Sequence, residues 1–300
     1  MPIILARTGA PDGVAKLMPP ELAKAVAKIN EISSLPEITT RIVEVVEDPH
    51  ATARNMHDVV QGDPALTAKI LKVVNSAFYG LQAQIASLDR AILMLGLSAV
   101  KNIALATSLS RMFKAEAVSE QFTARDLWRH SVAVGVCSRQ LAQAVRSDNP
   151  DEVFVAGLVH DMGLIVCQQL FPEKLRQVAE TCLSQPQDFR AVEERIVGAD
   201  HQQLGGLLAA KWKFPLKLLL AIGSHHELGP CPDELKAMVA ITLVADTTCC
   251  RDRYGFWLTA QTQKTTNEML QLIGLSAGQL DRVRSELPLQ VEEAEHIFAG

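Results

Sequence analysis

Residues 123–141 read TARDLWRHSVAVGVCSRQL, and this stretch decides the fold class of the chain. Thr123, with Asp126 three residues later, resembles a capping box, which marks the start of an α-helix. Within the stretch, His130 shares a helical face with apolar residues three, four, seven and eleven positions later, namely Ala133, Val134, Cys137 and Leu141. The stretch therefore predicts a long helix that turns a histidine toward the protein core.

The composition of the whole chain favours the same class of fold. Of its 300 residues, 48% are hydrophobic, 21% are charged and only 5% are aromatic. These proportions support a substantial core and argue against compositional disorder. Because apolar positions also repeat with a period near 3.6 residues, they favour helices over sheet. We therefore predict an all-α protein.

Capping residues and breakers divide the chain into a series of helices. Asp63 and Pro64 begin one helix, which Gly80 is expected to end, and Ser87 caps the next. Loop breaks are predicted at Gly163, Pro186, Gly198, Pro215 and residues 229–232. The predicted helices span about 19–32, 38–47, 53–61, 64–79, 88–95, 98–113, 123–146, 150–161, 171–184, 188–197, 200–212, 215–226, 233–252, 265–273 and 278–298.

Charge, hydropathy and cysteine usage limit the classes of function. The net charge is −5 and no cluster of Lys and Arg stands out, so nucleic-acid binding is not expected. Apolar runs such as 216–222 and 238–245 are far shorter than the roughly 20 residues that span a bilayer, and no signal peptide is expected. The six cysteines form no C-x-x-C pair, which fits reduced thiols in a cytoplasmic protein.

Five of the eight histidines lie between positions 130 and 226. His160 follows an apolar stripe and is expected to point inward, with Asp161 beside it. His225 and His226 end an apolar helix. Asp246 closes an apolar run and is expected to be buried. A buried carboxylate is costly unless a cation or several hydrogen bonds compensate it.

Several inward-facing helices thus each supply an imidazole or a carboxylate. Such nitrogens and oxygens suit Fe, Mn and Zn, and a site with paired ions can activate water for attack on phosphorus. For any one of these histidines, a hydrogen bond to the backbone in the core is the commoner role. The ordered set as a whole favours a shared polar or metal site. It consists of His130, His160, Asp161, His201, His225, His226 and Asp246.

The ordered set resembles the HD superfamily of metal-dependent phosphohydrolases, and its order is closest to that of the HD-GYP cyclic-di-GMP phosphodiesterases. The upstream half of the chain resembles the HDOD (HD-related output) domain of bacterial signalling proteins. The matching motifs include DPALT at 63–67, NSAFYG at 75–80, SLDRAI at 87–92 and AGLVHDMG at 156–163. The resemblance covers about residues 30 to 250.

The resemblance to HDOD domains implies an architecture and a role. After a loose lead over residues 1–18, an N-terminal helical bundle of residues 19–114 would pack on an HD-like bundle of residues 122–300. The implied role is regulatory, in bacterial signal transduction, with a signalling protein or a small phosphorylated ligand as partner. No membrane partner is expected.

The resemblance also implies ligands for one or two divalent ions, with Fe, Mn or Zn the most suitable. The first ion would take His130, His160, Asp161 and Asp246. The second ion would share Asp161, the metal-bridging candidate, and would take His201, His225 and His226. Asp126 stands where HD-GYP relatives can supply an extra carboxylate.

Two departures from the HD-GYP pattern argue against phosphodiesterase activity. Gly163-Leu164-Ile165 stands where that pattern has a lysine, and the Gly-Tyr-Pro triplet is absent after His226. Three hypotheses remain open. The chain is a metal-binding signalling module; or an active phosphohydrolase acting on a nucleotide or cyclic dinucleotide, with a di-iron oxygenase as a less favoured variant; or a metal-free scaffold whose histidines bond to one another.

Overall fold

The computed structural model describes residues 35–110, 123–228 and 231–298, and no β-strand occurs in these ranges. The predicted all-α class is confirmed. The lead over 1–18 and the helix predicted over 19–32 lie outside the described residues. The helices are α1 (Glu37–Glu47), α2 (Ala53–Val60), α3 (Pro64–Val74), α4 (Leu88–Leu95), α5 (Leu97–Leu109), α6 (Ala124–Ala144), α7 (Pro150–Val159), α8 (Met162–Leu170), α9 (Pro172–Ser184), α10 (Phe189–Ile196), α11 (His201–Lys211), α12 (Leu216–Ser224), α13 (Asp233–Arg251), α14 (Asn267–Leu272) and α15 (Ala277–Phe298).

The helix starts read from capping residues are confirmed. The Asp63 carboxylate accepts a hydrogen bond from the backbone N–H of Leu66 at 2.9 Å, with Pro64 as the first residue of α3. Ser87 caps α4 in the same way, through the N–H of Arg90 at 3.2 Å. These side chains satisfy N–H groups that the first turn of a helix leaves without a partner.

Helix α3 ends at Val74 instead of continuing to Gly80, so the predicted end was wrong. The side chain of Asn75 bridges this end to a distant backbone segment. Its amide N–H donates to the carbonyl of Ile85 at 2.7 Å, and its amide oxygen accepts from the Ile85 N–H at 2.6 Å. Asn75 thus fixes a turn where the apolar spacing alone favoured a longer helix.

Helix α8 was missed, because Gly163 was interpreted as a loop break. Gly163 is instead the second residue of α8. A Cβ atom at this position would lie 1.8 Å from the carbonyl oxygen of His201. The glycine is therefore required by the close approach of α8 to α11 and does not interrupt the helix.

Helix α6 lies at the centre of the second half of the chain and packs against α7, α13 and α15. One continuous hydrophobic core reaches from α1 to α15. The Arg139 guanidinium on α6 forms an ion pair with Asp151 on α7 at 2.9 Å, and it lies 4.4 Å from the ring centre of Phe78, which follows α3. The hydroxyl of Tyr79 donates to the same Asp151 carboxylate at 3.0 Å. The helices before and after the undescribed segment 111–122 are thus packed together.

The stretch Pro150–Leu170 is long and apolar enough to cross a membrane by length and composition. This corrects the expectation drawn from the shorter apolar runs. However, 83% of its apolar window is buried inside the protein, and the structure divides the stretch into α7 and α8. It forms part of the core that carries His160 and Asp161.

Candidate metal centre

Seven side chains from six helices or helix ends meet in the core of the second half. Each of them has an exposed fraction of 4% or less. Most lie at helix ends, where side chains can converge on one point without the helices themselves colliding. They are His130 on α6, His160 and Asp161 between α7 and α8, His201 at the start of α11, His225 and His226 after α12, and Asp246 on α13.

The first group of potential ligands consists of His130, His160 and Asp246, whose ligand atoms lie within 4.8 Å of one another. The Nε2 atom of His130 is 3.2 Å from Oδ1 of Asp246. The Nε2 atom of His160 is 3.7 Å from the same oxygen. Two imidazoles and a carboxylate thus face one small volume.

The second group consists of Asp161, His201, His225 and His226. The Nε2 atom of His201 lies 3.2 Å from that of His225 and 2.9 Å from that of His226. Three imidazole nitrogens thus converge beside a carboxylate, which is a donor set that Zn and Fe accept.

Asp161 lies between the two groups and faces both. Its Oδ2 atom is 3.3 Å from Nε2 of His160 and 3.6 Å from Nε2 of His130. Its Oδ1 atom is 3.2 Å from Nε2 of His225 and 3.4 Å from Nε2 of His201. Each carboxylate oxygen of Asp161, the bridging candidate, therefore faces the imidazoles of a different group.

Hydrogen bonds fix the orientation of the imidazole rings of the first group and of His225. The Nδ1 atoms of His130, His160 and His225 lie 3.1, 2.7 and 3.0 Å from the carbonyl oxygens of Tyr254, Gly157 and Ile222. Because a carbonyl oxygen can only accept, Nδ1 must carry the proton. In a neutral ring the lone pair of Nε2 then points into the centre, as metal ligation requires.

The other two histidines are oriented by side chains. Nδ1 of His201 lies 2.6 Å from Oε2 of Glu193. Nδ1 of His226 lies 3.1 Å from Oε1 of Gln263, whose amide is oriented by its own hydrogen bond to the backbone carbonyl of His226 at 2.7 Å. All five imidazoles thus present Nε2 to the centre.

The side chains that orient His201 and His226 were not among the predicted site residues. Glu193 left a detectable signal, because it falls four residues after Phe189 on the buried face of α10 and is itself fully buried. The amide oxygen of Gln202 accepts a hydrogen bond from the His226 N–H at 2.9 Å. The sequence carried no signal for Gln202 or Gln263, because His226, their partner, is 24 and 37 residues away from them.

Several buried polar atoms of the centre have no hydrogen-bond partner among the described residues. They are Nε2 of His160, both oxygens of Asp161 and Oδ2 of Asp246. Leaving such atoms unpaired costs free energy, and the cost is highest for a carboxylate. One or two cations would satisfy all of them, so the residues present fit a metal site.

Electrostatics keep the two carboxylates ionised. Burial opposes ionisation of Asp161, but the neighbouring imidazoles of His160, His225 and His201 outweigh it and hold the pKa of Asp161 well below its usual range. Burial likewise opposes ionisation of Asp246, but His130, His160 and His226 outweigh it and hold its pKa well below the usual range. Both carboxylates are therefore anionic near neutral pH.

Four of the imidazoles divide into two classes by the direction of their pKa shifts. Burial opposes protonation of His160 and His201, but neighbouring carboxylates outweigh it and raise the pKa of His160 to about 10 and that of His201 to about 9. Burial, together with nearby imidazoles, lowers the pKa of His225 and lowers that of His226 further. Without metal, the first two carry protons at neutral pH and the last two are neutral ligands.

Metal loading at about pH 7.5 is expected to release about two protons per chain, one each from His160 and His201. Because both pKa values lie above that pH, a metal ion must displace the protons, and affinity should rise as the pH rises toward 10. Calorimetric titration of chelator-treated protein in buffers of different ionisation enthalpy measures the release. Heats that do not depend on the buffer would contradict this protonation pattern.

Asp126 lies outside both groups, in contrast to its proposed place as an extra ligand. Its carboxylate accepts from the Thr123 N–H at 2.8 Å and from the Thr123 hydroxyl at 2.7 Å. The capping box read from the sequence is therefore present, and it occupies this carboxylate at the start of α6.

Replacing Asp126 with alanine is expected to leave the metal content unchanged and to lower the free energy of unfolding by about 1 kcal/mol. The physical reason is that the change removes a cap and no atom of either group. Elemental analysis and denaturant unfolding measure the two effects. Loss of bound metal in Asp126→Ala would restore this residue to the ligand set.

No cysteine belongs to either group of potential ligands among the described residues. All six thiols are free, five of them are buried, and Cys231 is half-buried, as expected from the sequence. The Cys250 thiol donates to Oδ1 of Asp246 at 3.3 Å. Burial, with Asp246 nearby, raises the pKa of Cys250 well above its usual range, so the thiol stays protonated and acts as a donor.

The family model of the HDOD domain matches residues 32–228 of the chain. An HDOD domain protein of unknown function from Geobacter sulfurreducens aligns with a TM-score of 0.73 at 24% identity, covering 92% of this chain and 97% of that one. A proposed phosphohydrolase from Shewanella amazonensis aligns with a TM-score of 0.71 at 20% identity, covering 93% and 98%. These structures show the fold that the chain shares.

A relative by sequence is an uncharacterized protein of Treponema pallidum (strain Nichols), which is 25% identical over 234 residues. The alignment covers 76% of this chain but only 44% of that relative. The chain thus spans less than half the length of the curated relative it matches. Asp246, which the resemblance assigned to the first ion, lies beyond the end of the family match, and the structure brings it beside His130 and His160.

Proposed function

Because the chain belongs to the HDOD family, we propose that it is a metal-binding regulatory module of bacterial signal transduction. It acts through contact with a signalling protein or a small phosphorylated ligand in the cytoplasm, and neither nucleic acid nor membrane is a partner. The observation that carries this proposal is the convergence of five oriented Nε2 atoms on two carboxylates in a buried centre.

The centre would hold one or two divalent ions, of which Fe, Mn and Zn suit its nitrogen and oxygen donors best. His130, His160, Asp161 and Asp246 would hold one, and Asp161, His201, His225 and His226 the other. Bound there, the ions would supply positive charge to the core and Lewis acidity to any oxygen that reached them. The carbonyl and side-chain partners of the Nδ1 atoms hold the ligands in place.

Burial favours regulation over turnover. The seven residues have exposed fractions of 0 to 4%, so a phosphoester has no open approach to their ligand atoms. The segment after Asp161 offers no cation for a phosphate either, since it continues with Met162, Gly163 and a fully buried Leu164. A regulatory centre needs no such access, because its ions act on the packing of the helices that ligate them.

The alternative function is an active metal-dependent phosphohydrolase. The observation that favours it is the position of Asp161, because a carboxylate facing two groups of imidazoles is suited to hold paired ions that activate water. In that mechanism Asp161 would fix the separation of the two groups, and the buried partners of Nδ1 would keep every ring in its ligating tautomer. A di-iron oxygenase would use the same ligands.

A turnover screen separates these functions. Purified protein loaded with Fe, Mn or Zn is assayed on phosphomonoesters, nucleotides and cyclic dinucleotides, beside an Asp161→Ala variant. The regulatory proposal expects bound metal and no turnover above that of the variant. Steady, metal-dependent hydrolysis that Asp161→Ala abolishes would overturn it in favour of the phosphohydrolase. Background metal content after reloading would instead support the scaffold whose histidines bond to one another.

A further inference from the structure

A cleft of about 690 Å³ lies beside the metal centre, between the end of α13 and the segment that leads to α14. Its volume is within the range of about 300–1,000 Å³ that is usual for small-molecule sites. The residues used below are Thr247, Cys250, Arg251, Arg253, Gln263 and Lys264. All six follow residue 228 in the sequence, where the match to the HDOD family ends, and four of them follow Cys250.

The cleft is positively charged in a chain of net charge −5. Arg251, Arg253 and Lys264 line it, and none of the described carboxylates does. Among the described residues, none of these three cations forms an ion pair with an acidic side chain. The Arg253 guanidinium lies over the ring of Trp257, 4.6 Å from its centre, which orients the group at the edge of the cleft. Three uncompensated cations around one cavity favour an anionic occupant.

A buried hydroxyl adds a second observation that points to a ligand. Thr247 has an exposed fraction of 2% and lines the cleft, and its Oγ1 has no hydrogen-bond partner among the described residues. A buried hydroxyl that lacks a partner costs free energy. A bound oxyanion would accept its hydrogen bond while its charge faced the three cations.

The wall of the cleft is shared with the metal centre. Cys250 lines the cleft and donates to Oδ1 of Asp246 at 3.3 Å. Gln263 also lines it and holds both Nδ1 and the backbone carbonyl of His226. An occupant of the cleft would therefore contact two residues that position ligands of the centre.

We propose that this cleft is the small-ligand site of the module and that it binds an anion carrying a phosphate group. The inference deepens the proposed function, and it rests on that function only for the link to the metal centre. Arg251, Arg253 and Lys264 neutralise the phosphate, the Thr247 hydroxyl donates to one of its oxygens, and Gln263 and Cys250 connect the wall of the cleft to His226 and Asp246.

The test is calorimetric titration of the whole 300-residue chain with inorganic phosphate, against chloride at matched ionic strength. The variants are Arg253→Ala and Lys264→Ala. Lys213→Ala is the matched control, since Lys213 follows the end of α11 with the same left-handed backbone as Arg253 and does not line the cleft. We expect saturable phosphate binding, weakened roughly tenfold or more in each cleft variant and unchanged in the control.

The metal centre is assayed separately in the same samples. We expect both cleft variants to keep wild-type metal content and an Asp161→Ala variant to keep phosphate binding. Three results would overturn the inference. The first is that wild type shows no saturable binding of phosphate. The second is that chloride, or the Lys213→Ala substitution, weakens phosphate binding as much as the cleft substitutions do, and the third is that Asp161→Ala loses phosphate binding while both cleft variants retain it. Metal content at background in wild type would contradict the proposed function and leave the phosphate result to decide the cleft.

Discussion

Replacing Gly163 with alanine is expected to lower the free energy of unfolding by about 3 kcal/mol or more and to reduce metal content. The added Cβ would lie 1.8 Å from the carbonyl oxygen of His201 and 2.8 Å from the N–H nitrogen of Gly205. Both are backbone atoms, so relief requires α8 and α11 to move apart. That movement separates Asp161, just before α8, from His201, the first residue of α11. Denaturant unfolding and elemental analysis measure the two effects.

Gly278 offers a matched control for this substitution. It is the second residue of α15, as Gly163 is the second residue of α8, and nothing lies within 4 Å of a Cβ built on it. Gly278→Ala should leave metal content unchanged and stabilise the protein by up to about 1 kcal/mol, because alanine suits a helix better than glycine. Equal stability of Gly163→Ala and wild type would contradict the close packing of α8 on α11.

Removing the metal is expected to lower the thermal midpoint by roughly 10 °C. If the free metal concentration is about 1,000 times its Kd, each ion contributes about 4 kcal/mol to the free energy of unfolding. The physical source is the set of buried carboxylate and imidazole atoms that a cation would satisfy. Thermal unfolding before and after a chelator measures the difference, and adding Fe, Mn or Zn back should restore the midpoint.

Asp161→Ala is the control for the chelator. Its midpoint should already be low and should not respond to chelation, because it lacks the carboxylate shared by both groups. A chelator that lowers the midpoint of wild type and variant equally would act elsewhere. A wild-type midpoint that responds to neither chelator nor added metal would favour a centre held together by its own hydrogen bonds.

The helical architecture could be predicted because its signals are local. Asp63 and Ser87 begin helices through bonds to residues three positions away, and the structure bears out both. The errors arose where distant contacts prevail. Asn75 ends α3 by bonding to Ile85, and Gly163 belongs to a helix because of a backbone more than 35 residues further along the chain. Neither partner can be inferred from neighbouring residues.

The residues of the candidate site could be predicted from the sequence, but the contacts that orient them could not. His130 and Asp246 could be assigned to buried faces from apolar spacing, and the resemblance supplied the order of the whole set. What the sequence did not reveal is how the rings are held. The backbone carbonyl of Tyr254 orients His130 from 124 residues away. Because every residue has a backbone carbonyl, the amino-acid type at position 254 does not indicate this contact. Asp126 shows the converse, since its local role in the capping box prevails over the role suggested by resemblance.

Elemental analysis of purified wild type beside Asp161→Ala measures directly whether the seven buried residues hold metal. His225→Gln serves as a second variant, and circular dichroism verifies that each protein is folded. We expect about one or two ions of Fe, Mn or Zn per wild-type chain and background metal in both variants. Background metal in the wild type after reloading with all three ions, or full metal content in folded Asp161→Ala, would contradict it.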